Sequence, residues 1–91
     1  MAVHNVMEDA VSEFLEKHWQ DIPAACHCDQ CKQDIYTLSL NHLPPCYATT
    51  VEGAMYAKSD LMTVQSRATI LTALTVSALK VSQSPHHRIT N

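Results

Sequence analysis

The feature of this sequence that most constrains its fold is a cluster of cysteines in residues 26–31. Cys26, Cys28 and Cys31 fall within six consecutive positions, and Cys46 follows a pair of prolines further on. The Cys-x-Cys-x-x-Cys spacing allows one short turn of chain to direct three sulfurs at a common centre. Thiolates are ligands that Zn²⁺ takes up in four-coordinate structural sites. We therefore predict a structural zinc site, with Cys26, Cys28, Cys31 and Cys46 as its ligands.

The spacing leaves the identity of the fourth ligand open. If a helix runs from Cys31 to His42, its end lies roughly 16 Å from Cys31. The chain from there to Cys46 spans at most about 14 Å, so Cys46 reaches the metal only after a sharp reversal. A second subunit or a histidine could serve instead, and the candidate histidines are His18, His27, His42, His86 and His87.

A redox role and a purely structural role for the thiols compete with a metal site. Cys28 and Cys31 have the C-x-x-C spacing of thioredoxin-like redox pairs and fall at a predicted helix N-terminus, where the helix dipole favours thiolate. No βαβ pattern surrounds this pair, however, as it would in a thioredoxin-like protein. In the structural role the cysteines are ordinary buried thiols.

Length and composition exclude several functional classes. A chain of 91 residues forms one domain, residues 1–91, with a modest core that a metal or a partner subunit would help to stabilise. The single glycine, Gly53, argues against a glycine-rich phosphate loop. A net charge of −3 without a basic block disfavours direct binding to nucleic acid. No signal segment is recognisable, and the longest uncharged run, residues 68–79, is too short to span a membrane. We therefore expect a cytoplasmic protein that does not bind membranes.

Hydrophobic periodicity predicts a mainly α fold with three helices. The first covers residues 3–19, with Asn5 as a possible N-cap and with Phe14 and Trp19 packed in the core. The second is capped by Asp29 and closes by about His42, before the proline pair. The third runs from residues 59–60 to about Ser82, before Pro85. Residues 47–58, around Glu52 and Gly53, are β-capable and predict a small hairpin or an extended loop.

The third predicted helix is apolar on more than one side. One stripe contains Leu61, Val64, Ala68, Leu71, Ala78 and Leu79, and a second contains Ile70, Leu74 and Val81. Two shorter helices cannot cover both stripes in so small a chain. We therefore predict a homodimer with this helix at the interface. Residues 1–4 and 83–91 are expected to fray.

Several motifs together carry a resemblance to a known family. In chain order they are Asn5-x-x-Glu8, the Cys-x-Cys-x-x-Cys cluster, Asp34-Ile35, Leu38-Ser39-Leu40-Asn41-x-Leu43-Pro44-Pro45-x-Tyr47, Thr50 with Gly53, Tyr56-x-Lys58, and Pro85. Over nearly its whole length the sequence resembles the ComFB family, the late competence development proteins of bacteria. Cys46 departs from the pattern, because we do not expect cysteine at this position throughout the family.

The resemblance implies a small, mainly helical, metal-binding dimer that is cytoplasmic and is not an enzyme. Members of the family have been described as receptors for the second messenger cyclic di-GMP, so the resemblance implies this ligand too. A cyclic dinucleotide requires cationic groups for its phosphates and flat groups for its guanines. The candidate ligand-binding residues are Tyr47, Tyr56, Lys58 and Arg67, although these could equally be ordinary surface residues.

The predicted function is that of a non-enzymatic regulatory protein. It would be a zinc-braced dimer that binds cyclic di-GMP and acts through an unknown protein partner in competence or motility-type regulation. No nucleophile is paired with a base and an orienting acid in the sequence, which argues against catalysis. The alternative is a purely structural or protein-interaction module with a structural zinc and no nucleotide ligand.

Overall fold

Four helices and one short antiparallel ladder make up the fold. The structure, a computed structural model, describes residues 3–83. In chain order its elements are β1 (His4–Asn5), α1 (Val6–His18), a 3₁₀ turn (Trp19–Asp21), α2 (Asp29–Asn41), β2 (Tyr47–Ala48), α3 (Val51–Asp60) and α4 (Val64–Gln83). β1 and β2 pair with His4 opposite Ala48 and Asn5 opposite Tyr47. The prediction of a mainly helical fold is confirmed.

α1 is amphipathic, as its periodicity predicts. Its buried side chains recur at spacings of three and four and are Val6, Met7, Ala10, Val11 and Leu15. Glu8 and Asp9 occupy the first turn and Lys17 the last, so the charges complement the helix dipole. Phe14 and Trp19 pack against the buried core, as predicted.

Asn5 joins the start of α1 to the strand β2. Its side-chain Oδ1 accepts hydrogen bonds from the backbone N–H of Met7 at 3.1 Å and from that of Cys46 at 2.8 Å. The backbone N–H of Val6 in turn donates to the Cys46 carbonyl at 2.7 Å. Asn5 is therefore the N-cap of α1 and also the anchor of the segment that precedes β2.

Replacement of Asn5 by alanine is expected to destabilise the protein by about 2 kcal/mol. The loss of an N-cap costs about 1 kcal/mol, and the Cys46 N–H loses its acceptor at a further cost of about 1 kcal/mol. Thermal unfolding followed by circular dichroism should show a fall of about 10 °C. Asn5→Asp retains an acceptor oxygen and should keep most of the stability; equal melting of Asn5→Ala and wild type would contradict the double role.

The most extensive helix pair is α2 against α4. On α2 the buried residues are Cys31, Ile35 and Ser39, and on α4 they are Ile70, Leu74, Ser77, Ala78 and Val81. Ser39 donates a hydrogen bond from Oγ to the Ala73 carbonyl at 3.3 Å. Leu38 is only partly buried and His42, just after the helix, is exposed. Ser39 is fully buried on the side of α2 that faces α4.

The predicted hairpin or extended loop in residues 47–58 is wrong for most of that segment. Tyr47–Ala48 pairs with β1, and residues 51–60 form α3. Thr50 caps α3, because its Oγ1 accepts from the Gly53 N–H at 3.0 Å. A Cβ on residue 53 would also lie 3.0 Å from that oxygen, so glycine fits closely beneath the cap. The residues interpreted as a turn are therefore the first turn of a helix.

The third predicted helix begins later than expected, and the fold has four helices instead of three. α3 ends at Asp60, and α4 begins at Val64. The Oγ1 of Thr63 accepts from the Ser66 N–H at 3.2 Å, and the Ser66 hydroxyl donates to the Asp60 carbonyl at 3.2 Å. These two hydrogen bonds stabilise a helix boundary that the apolar pattern does not reveal.

The two stripes of α4 have different surroundings. Ile70, Leu74 and Val81 of the second stripe are buried in the core. Of the first stripe, Ala78 is buried there too, whereas Val64, Leu71 and Leu79 are exposed. Of the residues expected to fray, His4 lies in β1 and Gln83 in the last turn of α4, while residues 1–2 and 84–91 lie outside the described residues. Pro85, His86 and His87 are among the latter. Within residues 3–83, the helices do not combine the length and apolarity needed to cross a membrane.

Candidate metal centre

The loop that carries the cysteine cluster is held against α1 and α4. Ile22 is buried, and its carbonyl accepts from the Ala24 N–H at 2.8 Å and from His27 Nε2 at 3.0 Å. The His27 ring lies against Trp19, with 4.6 Å between the ring centroids. The Ala25 N–H donates to the Ser82 Oγ at 2.8 Å, which ties the loop to the last turn of α4.

Lys32 ties the first turn of α2 to α1. Its ammonium group forms an ion pair with Glu16 of α1 at 2.5 Å and lies 5.7 Å from the centre of a Trp19 ring. The contact with the ring adds a cation–π attraction to the ion pair. The cluster therefore lies on a loop tied to α4 and on a helix start tied to α1.

The structure brings three of the four predicted metal ligands together. The sulfurs of Cys26, Cys28 and Cys31 all lie within 4.8 Å of one another. Sulfurs around a tetrahedral zinc at about 2.3 Å are separated by about 3.8 Å. The three thiols therefore fit a metal of this size with little movement, and they can hold a metal ion.

The electrostatics of the cluster favour a bound cation. Burial raises the pKa of the Cys31 thiol to about 12, and the neighbouring Cys28 and Cys26, through hydrogen bonds and charge, add to the increase. Three thiolates this close repel one another unless a cation lies between them, and a coordinated metal deprotonates its thiols. Cys28 is the N-cap of α2, with its sulfur accepting from the Cys31 N–H at 3.4 Å. This donor and the helix dipole favour negative charge on the sulfur.

Cys46 lies elsewhere in the part of the chain that the structure describes. It is not one of the close group of thiols, and its backbone is hydrogen-bonded to Asn5 and Val6 at the start of α1. Its role as fourth ligand stays a prediction. Of the candidate histidines, His27 is engaged with Ile22 and Trp19, and His42 is exposed at the end of α2.

Two of the four predicted ligand-binding residues share a cleft. Lys58 of α3 and Arg67 of α4 both line a cleft of about 230 Å³ between α1, α3 and α4. The Lys58 ammonium group contacts Glu13 of α1 at 2.6 Å. Tyr47 and Tyr56 do not line the cleft, and 65% and 78% of their surfaces are exposed.

The same cleft contains residues that the sequence interpretation did not assign to a ligand. Phe14, Lys17 and His18 of α1 form one wall, with 4.5 Å between the Phe14 and His18 ring centroids. We interpreted Phe14 as a core residue. The spacing of these three residues does indicate a shared side of α1, but only the packing of α3 and α4 makes that side a cleft.

Comparison with known proteins agrees with this fold and cysteine cluster. Residues 4–85 match the family model described as late competence development protein ComFB. The competence protein ComFB of Bacillus subtilis (strain 168) is 35% identical over 81 residues, which cover 89% of this chain and 83% of the relative. The solved structure of the late competence protein ComFB from Bacillus subtilis superposes with a TM-score of 0.86 at 31% identity, with 99% of each chain covered. The chain therefore belongs to the ComFB family of late competence development proteins.

Proposed function

We propose that this protein is a non-enzymatic regulator: a dimer braced by a structural zinc that binds cyclic di-GMP and acts through a protein partner in competence or motility-type regulation. The observation that supports ligand binding most directly is the cleft that Lys17, Lys58 and Arg67 all line. The metal would be held by Cys26, Cys28 and Cys31. With a fourth protein ligand such as the predicted Cys46, the zinc would have no open position for a substrate, which would fit a structural role.

The cleft offers the groups that a cyclic dinucleotide requires. Lys17, Lys58 and Arg67 are cations for the phosphates, and the half-buried Phe14 is a flat apolar surface for a guanine. His18 Nε2 is buried and has no hydrogen-bond partner among residues 3–83. A polar ligand atom would satisfy it. On binding, a phosphate would take the place of the Glu13 carboxylate beside Lys58.

The size of the cleft supports a dimeric receptor. At about 230 Å³ it is smaller than the roughly 300–1,000 Å³ typical of pockets for drug-sized ligands. One chain would therefore accommodate part of the ligand, and a second chain related by two-fold symmetry would supply the rest. The exposed apolar side of α4 supports such an association, since 86% of Val64, 44% of Leu71 and 50% of Leu79 is exposed.

A second candidate function is that of a protein-interaction module without a nucleotide ligand. α3 has no buried residue, and the exposed apolar side chains in and just after it are Val51, Met55, Tyr56 and Met62. Methionine and tyrosine are common at adaptable protein-binding surfaces. This surface suits a protein partner whether or not the cleft binds a nucleotide.

Calorimetric titration of zinc-loaded protein with cyclic di-GMP tests the proposal. We expect saturable binding with one ligand for one or two chains, and a weakening of at least about 10-fold in Arg67→Ala and in Lys58→Ala, because each removes a charge-assisted contact worth about 1.5–3 kcal/mol. Light scattering on the same sample gives the number of chains per particle.

Lys80→Ala is the matched control. Lys80 is an exposed cation on α4 that does not line the cleft, so its loss changes net charge equally without removing a contact. An equal loss of affinity for cyclic di-GMP in all three variants would indicate a general effect of net charge. No binding by a dimer with its full zinc content would leave the interaction module as the function.

A further inference from the structure

The three clustered thiols differ in how far they are exposed. Cys26 and Cys28 are half-buried, whereas Cys31 is only 2% exposed and belongs to the core. A dissolved oxidant therefore reaches the sulfurs of Cys26 and Cys28 more readily than that of Cys31. Cysteines that respond reversibly to oxidants combine an accessible thiol with a second thiol close by, which converts the first oxidation product to a disulfide. The cluster contains both kinds of thiol.

Cys28 and Cys31 are the pair that is best placed to form a disulfide. Cys28 is the N-cap of α2, and its sulfur accepts from the N–H of Cys31 in the first turn at 3.4 Å. The two sulfurs lie within 4.8 Å of each other, and a disulfide brings them to about 2 Å. Cys28 has extended backbone angles, with φ −79° and ψ 166°, so it can shift towards Cys31 while the hydrogen bonds inside α2 stay in place. Two intervening residues are also the spacing of redox-active disulfides of the C-x-x-C type.

Cys26 is held more firmly than Cys28, because both of its neighbours in the chain are tied to other segments. The Ala25 N–H donates to the Ser82 Oγ at 2.8 Å, and the His27 Nε2 is hydrogen-bonded to the Ile22 carbonyl at 3.0 Å. Movement of the Cys26 sulfur into a disulfide would therefore strain two hydrogen bonds. Formation of the pair at the start of α2 leaves both of them intact.

We infer that Cys28 and Cys31 form a reversible disulfide when the protein meets a peroxide, and that the cluster then gives up its metal. The Cys28 thiolate attacks one peroxide oxygen, the O–O bond breaks and hydroxide leaves, so that Cys28 becomes a sulfenic acid. The Cys31 thiolate then attacks the Cys28 sulfur, the S–S bond forms, and the S–O bond breaks with loss of a second hydroxide. The two sulfurs lose two electrons in total, and hydrogen peroxide is reduced to two hydroxide ions.

Oxidation and metal binding exclude each other at this cluster. After the disulfide has formed, Cys26 is the one thiolate left of the close group, and one thiolate does not make a structural zinc site. A dithiol that attacks the disulfide regenerates both thiols and is itself oxidised to a disulfide. The metal site and the redox pair are then two states of the same residues. The disulfide stands apart from the proposed function, whereas the release of metal rests on the zinc of that proposal.

Treatment of the zinc-loaded, full-length protein with hydrogen peroxide tests the inference. Zinc release is followed with a colorimetric chelator, and the thiols are labelled with one alkylating reagent before reduction and with a second reagent after it. Trypsin cuts after Lys17 and Lys32, so one peptide carries the whole cluster while Cys46 lies in another. The free thiols should fall from four to two per chain, with the second label on Cys28 and Cys31 and with one zinc released for each disulfide. Dithiothreitol with added zinc should restore the starting state.

Two variants and one internal comparison serve as controls. Cys46→Ser, at a thiol outside the cluster, should form the disulfide at the wild-type rate. Cys26→Ser keeps the reacting pair and should still form the disulfide when both it and wild type are compared without zinc. In wild type the pair should be oxidised at least about 10-fold faster than Cys46, which has no second thiol of the close group beside it.

Three results would overturn the inference. They are a second label on Cys26 in place of Cys28 or Cys31, oxidation of Cys46 before the pair, and zinc release while all four thiols stay reduced. A disulfide between Cys28 and Cys31 in a protein that binds no zinc would support the redox pair and would instead overturn the zinc of the proposed function.

Discussion

Removal of the metal, by a chelator or by Cys31→Ser, is expected to lower the melting temperature by more than about 15 °C. Cys31 is a metal-binding candidate and also a buried core residue at 2% exposure, so a metal bound there would join the start of α2 to the core. The binding free energy of a structural zinc is folding free energy, and each kcal/mol changes the melting temperature of a small domain by about 4–8 °C. Circular dichroism during heating, with zinc content measured on the same samples, gives the result.

The chelator experiment has an internal control, because zinc added back should restore the original melting curve. Cys46→Ser is the matched variant, since it makes the same chemical change at a thiol outside the cluster. If the three clustered thiols hold the zinc without Cys46, it should retain its zinc and melt closer to wild type than Cys31→Ser does. Superimposable melting curves for zinc-loaded and zinc-depleted protein would show that the thiols contribute only as ordinary side chains.

Replacement of Leu74 by alanine is expected to destabilise the protein by about 2–5 kcal/mol. Leu74 is fully buried on the side of α4 that packs in the core. Truncation removes its apolar contacts and leaves a cavity that the surrounding helices fill only partly. Since small domains are stable by only about 5–15 kcal/mol, the variant should lose a large fraction of its stability in urea denaturation followed by circular dichroism.

Leu71→Ala is the control for this experiment, because it makes the same truncation on the same helix at a residue that is 44% exposed. In dilute samples, where association is weakest, it should cost less than about 1 kcal/mol. Similar losses in the two variants would contradict the assignment of the Leu74 side of α4 to the core. A loss in Leu71→Ala that grows with protein concentration would support the proposed dimer interface.

Local signals predicted the regular helices well. The three- and four-residue spacing of apolar side chains placed α1, and Asn5 was identified as its cap. The sequence also indicated a second helix that starts at the cluster, although Cys28 and not Asp29 is its cap. Both features depend on neighbours within one or two turns, and these are visible in the sequence.

The errors arose where the local preferences of the residues for helix and for strand or loop were nearly equal. Residues 51–60 are rich in small and β-capable side chains, so the cap that Thr50 makes with Gly53 was missed and α3 was interpreted as a hairpin or loop. The boundary at Thr63 was missed for a related reason, because apolar residues continue on both sides of it. A single capping hydrogen bond stabilises the start of each of these helices, and the spacing of apolar residues does not reveal it.

The sequence by itself determined the clustering of three thiols, because Cys26, Cys28 and Cys31 are so close along the chain that one loop and one helix turn bring them together. Only the tertiary structure decided which groups from distant segments meet. It separates Cys46 from the cluster, brings Ser82 to the loop before Cys26, and places Arg67 and Lys17 on the lining of one cleft. The physical reason is that local spacing constrains the backbone over a few residues, whereas the meeting of distant segments depends on how the buried faces of whole helices pack against one another.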